Sequence, residues 1–256
     1  MQRTIATARM CVREQGYFGL AELVGGYLLR VLNLLALLAI WRALLAQGAD
    51  MEGLTRDQAL TYTLLSAVLH PMLNIATPAS GWMHDGTMLG LYQRPASIFG
   101  QLAAHTVGGW VTQLLLFSFP VTAIAAMAGI RVIPASGWFL LSLPLAVSQG
   151  FAVDFLFTCA LIRLKSQEWT MHRIRAALSA LLTGAVIPFR ALPWGLGDWL
   201  ALSPFGTLAG APLALYAGLD SAGRLLAAQV FWNIILWPLA LVWFKRSRER
   251  MVSYGG

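Results

Sequence analysis

The sequence predicts an all-α membrane protein with six transmembrane helices, and three observations carry that prediction. Hydrophobic residues make up 58% of the 256 and charged residues only 11%, with a mean hydropathy of +0.66, a balance well outside soluble averages. Six apolar segments can cross a hydrocarbon core of about 30 Å, which takes roughly 20 helical residues. The 18 basic residues gather at the ends of those segments and favour one side, the signature that orients membrane chains.

The first span covers 26–45 and contains Arg30 and Arg42. Twelve positions separate them, about 18 Å along a helix, so both can snorkel outward and leave an apolar centre. The second covers 59–76, the third 107–127 and the fourth 138–162. The fifth runs over 174–188 and stops at Pro188, and the sixth is the apolar run 225–244. With the N-terminus inside, the cytoplasmic set is Arg3, Arg9, Arg13, Arg94, Arg163, Lys165, Arg173, Arg175, Lys245, Arg246, Arg248 and Arg250. Arg42, Arg56, Arg131, Arg190 and Arg224 form the outer set. Twelve against five predicts both termini in the cytoplasm.

Two stretches are apolar without being simple spans. Over 1–23, Ile5, Ala8, Val12, Leu20 and Leu23 recur at near-helical spacing among charged residues, which predicts an interfacial helix on the inner leaflet, with a partly ordered basic tail as the alternative. The same stretch has no cleavage pattern of a removable signal peptide. Between spans five and six, 188–218 is rich in Trp, Leu and Ala but punctuated by Pro188, Pro193, Gly195, Pro204, Gly206 and Pro212. Irregular backbone persists at membrane depth only where protein or a watery cavity satisfies it, so short re-entrant helices on the outer side are expected. A seventh crossing would instead put the Arg-rich C-terminal tail outside. No repeat or linker divides the chain, so 1–256 reads as one domain.

Several kinds of chemistry are missing from the pattern. There is no G-x-x-x-x-G-K-[ST] phosphate loop, so any ATP and Mg must be handled by a partner, and no cofactor is expected in this chain. The arginines form no basic stripe interleaved with aromatics, which argues against nucleic acid. His70, His84, His105 and His172 lack metal-ligand spacing and read as packing or interfacial residues. Cys11 and Cys159 read as unpaired. Asp85-Gly86 resembles the start of the motif of intramembrane CDP-alcohol phosphotransferases, without the later aspartates that would hold metal ions. Ser80-Gly81 lacks the surroundings of a rhomboid serine.

One acid lies well inside a span. Asp154 sits in the fourth segment with Gln149 and Gly150 just before it and Pro144 further back. An intramembrane acid costs several kcal/mol on insertion scales and faces the bundle interior or a cavity. Gln149 and Asp154 are therefore either polar contacts on a transport path or structural staples, with Arg30 or a side chain across a subunit interface as partner for Asp154.

After the second span the sequence reads His84-Asp85-Gly86-Thr87-Met88-Leu89-Gly90-Leu91-Tyr92-Gln93-Arg94-Pro95. A glycine, an apolar stretch and an Arg-Pro nine positions on resembles the cytoplasmic loop of type-2 ATP-binding-cassette (ABC-2) exporter permeases, although Met88 and Tyr92 stand where that family more often has leucine. A second window, Gly184 to Phe189 followed by Leu192-Pro193-Trp194, Leu202-Ser203-Pro204-Phe205 and Pro212, is similar to the outer segment of the six-span permeases of that family, with Arg190 as an interruption. The resemblance implies a permease in the bacterial cytoplasmic (inner) membrane, paired with a second identical or paralogous permease subunit and seated on an ATP-binding cassette subunit. It implies that Gly86, Arg94 and Pro95 belong to an ATPase-coupling loop, and that Pro188, Pro193, Pro204 and Phe205 belong to an outer lid. Read from the residues alone, Gly86 permits a bend and Pro95 starts a helix, and Trp194 and Trp199 are interfacial anchors.

Two functional classes follow. In one, the chain is half the translocation path of an ATP-driven exporter, among membrane lipids, doing no covalent chemistry itself. In the other it is an intramembrane enzyme or a non-transporting membrane scaffold.

Overall fold

A computed structural model of the chain describes residues 20–46, 54–164, 167–192 and 194–254. Among these, every regular element is helical. The expected interfacial helix over 1–23 falls outside the described residues except for its last four, which open the first helix.

Four helices are long and apolar enough to cross a membrane. They are α1 (Leu20–Ala46), the composite α6 (Ile98–Gln113) and α7 (Phe119–Met127), then α8 (Phe139–Leu164) and α12 (Ala222–Tyr254). These take up the expected spans 26–45, 107–127, 138–162 and 225–244. Their apolar side chains face outward: Leu28, Leu29, Leu32 and Leu35 on α1, Phe119 and Ile124 on α7, and Phe231 and Ile234 on α12 are all exposed. Water would penalise such a surface heavily, whereas lipid matches it. The helix α8 differs, with 67% of its apolar window buried against 17–22% in the other three. It is the central post of the bundle.

The two remaining expected spans are interrupted. Over 59–76 the chain forms α2 (Arg56–Val68), a single turn α3 (His70–Leu73), an irregular stretch, and then α4 (Ala79–His84). The start of α2 is fixed by a capping box, in which the Gln58 amide N–H donates to the Thr55 hydroxyl at 3.3 Å and the Thr55 N–H to the Gln58 side chain at 3.0 Å. Its end is set by Pro71 in the first turn of α3, because a proline there cannot continue the hydrogen-bond ladder. Over 174–188 the chain forms α9 (Glu168–Leu182), which stops before Gly184 in a left-handed conformation at φ +69°. At 13 and 15 residues, α2 and α9 rise only about 20 and 22 Å, short of a full crossing as single helices.

Between α4 and α6 lies α5 (Thr87–Tyr92). A π-helical turn, Leu114–Ser118, joins α6 to α7 just before Pro120, whose missing N–H and ring displace the ladder by one residue. After α9 come a 3-10 turn (Phe189–Ala191), α10 (Leu196–Ala201) and α11 (Gly206–Ala217).

Contacts sort the connections to two ends of the bundle. At one end, Thr61 donates to the Arg131 carbonyl at 3.1 Å, Gln58 to the Gly218 carbonyl at 3.4 Å, and Tyr216 stands edge-on to Phe139. At the other, α5 is anchored by buried Met88 and Leu91 in a cluster with Phe155, Ile162, Met171 and Phe244, where Phe99 stacks edge-on to Phe155 at 4.6 Å. The first core holds α1, α2, α11 and the start of α12 together, and the second holds α4, α5, α6, α8 and the far half of α12.

Candidate functional site

The break in the second segment is closed by the central helix α8, and the end of the fifth segment is closed by α2. Where α3 gives way to α4, the amide N–H of Thr77 points at Asp154 Oδ2, 3.1 Å away, and the Thr77 hydroxyl donates to the same oxygen. The guanidinium of Arg175, on α9, donates to Asp154 Oδ1. Asp154 is 4% exposed and Arg175 8%, so this is a buried ion pair whose carboxylate also closes a break in a neighbouring helix. A buried charge needs both a counter-ion and hydrogen bonds to be tolerated, and Asp154 has them.

At the end of α9 the roles reverse. The carbonyls of Gly184 and Ala185 have left the helix, and α2 covers them: Tyr62 Oη donates to Gly184 at 2.6 Å and Ser66 Oγ to Ala185 at 2.6 Å. Ser118, at the π turn, donates to the Val68 carbonyl at the end of α2 at 2.7 Å. Backbone groups released by helix breaks are thus satisfied by side chains from neighbouring helices, the condition under which such breaks survive away from water.

A cavity of 620 Å³ lies beside these breaks, between α1, α2, α3 and α9. Its polar wall includes Arg30, Asn33, Ser66, His70, Asn74 and Thr183, and its apolar wall Leu34, Leu37, Leu73 and Val186. The volume falls in the range of small-molecule sites.

Gln149 and Asp154 do not form one site. Gln149 is fully buried and donates to the Pro204 carbonyl at 2.7 Å and to Thr207 Oγ1 at 2.8 Å, on the α11 side of α8. Asp154, five residues on, faces α4 and α9. Arg30 lines the cavity, and the partner of Asp154 is Arg175 rather than Arg30: the segment order places α9 along α8, with the Arg175 guanidinium at the level of the acid. The expected cytoplasmic set of basic residues therefore loses Arg175 to the bundle interior, leaving eleven against five.

The Gln149 contact belongs to a larger seam. Gln229 on α12, also fully buried, donates to the carbonyls of Thr207 at 3.0 Å and Ser142 at 3.2 Å while accepting from Ser142 Oγ at 2.8 Å. Trp232 donates to the Leu202 carbonyl at 2.8 Å and Trp237 to Ser148 at 2.9 Å. Sequence reasoning missed Gln229 because it read the sixth segment as uniformly apolar. A buried amide in such a run carries the same signal that singled out Gln149.

The remaining expected residues fall in two places. Gly86 has φ +78° between α4 and α5, a conformation that favours glycine, and Asp85 Oδ1 accepts from the Thr87 N–H at 2.9 Å. Arg94 and Pro95 are exposed in the next turn, which Gln101 ties down by donating to the carbonyls of Leu91 at 3.2 Å and Ala96 at 3.0 Å. Pro188 precedes Phe189, whose ring fills the space left by Gly184 and Gly210. Pro204 accepts from Gln149, and Phe205 stands edge-on to Phe157 with centroids 6.5 Å apart. Pro193 lies outside the described residues. Trp194 and Trp199 are both more than 80% exposed, free to meet an interface.

Among the described residues no three His, Cys, Asp or Glu side chains converge as a metal site. No protein-family model and no curated protein matches the chain.

Proposed function

We propose that the chain is the membrane-spanning permease subunit of an ATP-driven exporter of the ABC-2 type, forming half of a translocation path and coupled to a separate ATP-binding subunit. The observation that carries this reading is the polar-walled cavity between α1, α2 and α9, placed beside two interrupted segments. A bundle serving only as an anchor has no need of polar walls or broken helices, and both cost free energy unless they line a path or a cavity.

Six crossings follow when the interrupted segments are counted with their continuations. The run α2, α3 and α4 occupies 56–84, long enough to cross in pieces, and α9 with its irregular extension supplies the fifth. The stretch between α9 and α12 then dips inward and returns. Asp198 on α10 pairs with Arg224 at the start of α12, 3.2 Å apart. The turn after α10 meets Trp232 and Gln149, each about ten residues or 15 Å down its own helix, and α11 climbs back to Tyr216 beside Phe139. This geometry supports re-entrant helices acting as a lid on the Phe139 end. The α4–α5–α6 loop lies at the opposite end, the cytoplasmic side of the inner membrane in this reading, which the excess of basic residues supports. There α5 buries Met88 and Leu91 and leaves Leu89 and Gly90 exposed, with Arg94 exposed in the turn that follows, a face suited to a motor subunit.

The test has two parts. Single cysteines at residues 50 and 220 should react with an impermeant thiol reagent from outside, and cysteines at residues 90 and 250 only from inside. The chain should copurify with a P-loop ATPase whose activity falls when Gly86, Arg94 or Pro95 is substituted. Failure to copurify, together with coupling untouched by those substitutions, sinks the exporter reading, and loss of a partner-free reaction in Asp154→Asn would establish an intramembrane enzyme.

A further inference from the structure

The cavity holds a cation with no counter-ion. Arg30 stands on its wall with His70 nearby, and no Asp or Glu lines it. Arg30 makes no ion pair among the described residues. The acid that the sequence offered as its partner is occupied, since Asp154 accepts from Arg175 at Oδ1 and from Thr77 at Oδ2. One of the two arginines is balanced and the other is not. Arg30 lies six residues, about 9 Å, inside the apolar window of α1 that starts at Val24, where its guanidinium either snorkels to the near interface or is neutralised by an anion in the cavity.

The surroundings specify what that is. Asn33 and Asn74 line the same cavity as Arg30 and carry amide donors, and a guanidinium together with such donors suits the oxygens of a phosphate or carboxylate. Leu34, Leu37, Leu73 and Val186 supply an apolar wall on the same cavity. Arg30, Asn33 and Ala180 are exposed, so the cavity opens sideways between α1 and α9 and a long chain can trail out of it. We infer that this cavity binds an anionic amphiphile, with its oxyanion headgroup on Arg30 and its hydrocarbon chain along the leucine wall. Binding stands apart from the pairing with an ATPase; only the further step of calling the amphiphile cargo rests on the exporter reading.

The test uses the full chain, purified in a neutral detergent without any ATPase and titrated with dioleoylphosphatidylglycerol or dioleoylphosphatidylcholine, with bound lipid counted by native mass spectrometry. At equal concentrations the anionic lipid should be retained at least fivefold more than the zwitterionic one. Arg30→Gln should reduce that preference to within twofold, while Arg42→Gln, at the far end of the same helix, should leave it intact. Ala180→Phe keeps every charge and fills the opening, so it should weaken retention of the anionic lipid severalfold, which keeps the proposal testable if Arg30→Gln folds poorly. Equal retention of the two lipids, or a preference that survives both Arg30→Gln and Ala180→Phe, would overturn it. Displacement of the lipid by millimolar inorganic phosphate would show a free-anion site and overturn the amphiphile. Because no ATPase is present, a failure here leaves copurification and coupling to be judged on their own.

Discussion

Arg175, seven residues into α9, donates to Asp154 on α8 while the same carboxylate accepts the backbone N–H of Thr77 from a gap between α3 and α4. One side chain thus holds three segments, two of which are too short to stand alone. The relationship explains why an acid is kept inside the central helix: it neutralises a cation and replaces a missing helical acceptor at once.

Breaking the pair from either side should be costly, because each single change leaves a buried charge without its partner. Asp154→Asn and Arg175→Gln should each destabilise the protein by about 3 kcal/mol or more. The double variant should lose less than the sum, since neither residual amide is charged. Unfolding of the purified protein in mixed detergent micelles measures all four corners of this cycle. Strictly additive losses would show that the two residues do not act on one another.

The legible part of the fold was whatever a contiguous apolar run could declare. The segments 26–45 and 225–244 announce α1 and α12 because nothing polar interrupts their spacing for long, and Asp154 announces itself by being an acid in such company. The breaks were not legible in the same way. Pro71 and Pro78 mark places where α2 could stop, but whether a stop is tolerable depends on Asp154, 77 positions beyond Thr77, and on Tyr62 and Ser66 reaching Gly184 and Ala185 more than a hundred positions away. Arg175 groups with the cytoplasmic charges in the sequence for the same reason: a charge beside the start of an expected span looks solvated until its partner on another helix is known.

Glycines in the α10–α11 hairpin separate close approach from mere flexibility. A Cβ on Gly197 would stand 2.0 Å from the Phe189 carbonyl oxygen, and one on Gly206 1.8 Å from that of Leu200. Both obstacles are backbone, so neither can swing aside. Gly197→Ala and Gly206→Ala should each cost about 3 kcal/mol and lower the melting temperature clearly. Gly90→Ala and Gly223→Ala, where a Cβ meets nothing within 4 Å, should stay within about 0.5 kcal/mol of the parent. Equal effects at all four sites would mean that the hairpin is not packed in this way.

Gln149 ties the turn before α11 to the central helix through two hydrogen bonds, and Gln229 ties α11 to α8 and α12 through three. Interhelical hydrogen bonds of this kind contribute about 0.6 kcal/mol each on average and up to about 1.7. Gln149→Leu and Gln229→Leu should therefore destabilise by roughly 1–3 kcal/mol. The more specific expectation is local: Gln149→Leu should raise the amide exchange of 202–208 in hydrogen–deuterium exchange while leaving α5 unchanged. Exchange rising equally across the whole bundle would point to global unfolding and against a seam that pins the hairpin.

The capping of the end of α9 by α2 gives the most direct test of how the interrupted segments are held. Tyr62→Phe removes only the hydroxyl that covers the Gly184 carbonyl, and Ser66→Ala only the one that covers Ala185. Neither change alters the apolar packing of α2 much, since the Tyr62 ring stays in place. A buried carbonyl left without a donor costs about 1–3 kcal/mol, so Tyr62→Phe should lose at least about 1 kcal/mol, and Ser66→Ala, at a half-buried carbonyl on the cavity wall, should lose less. Because the two carbonyls are consecutive and share one break, the double variant should lose more than the sum and expose 183–188 to hydrogen exchange. The Asp154–Arg175 pair holds the middle of α9 independently, so exchange at 170–178 should remain slow. Fast exchange there as well would show that the capping hydroxyls hold the whole helix and not its end.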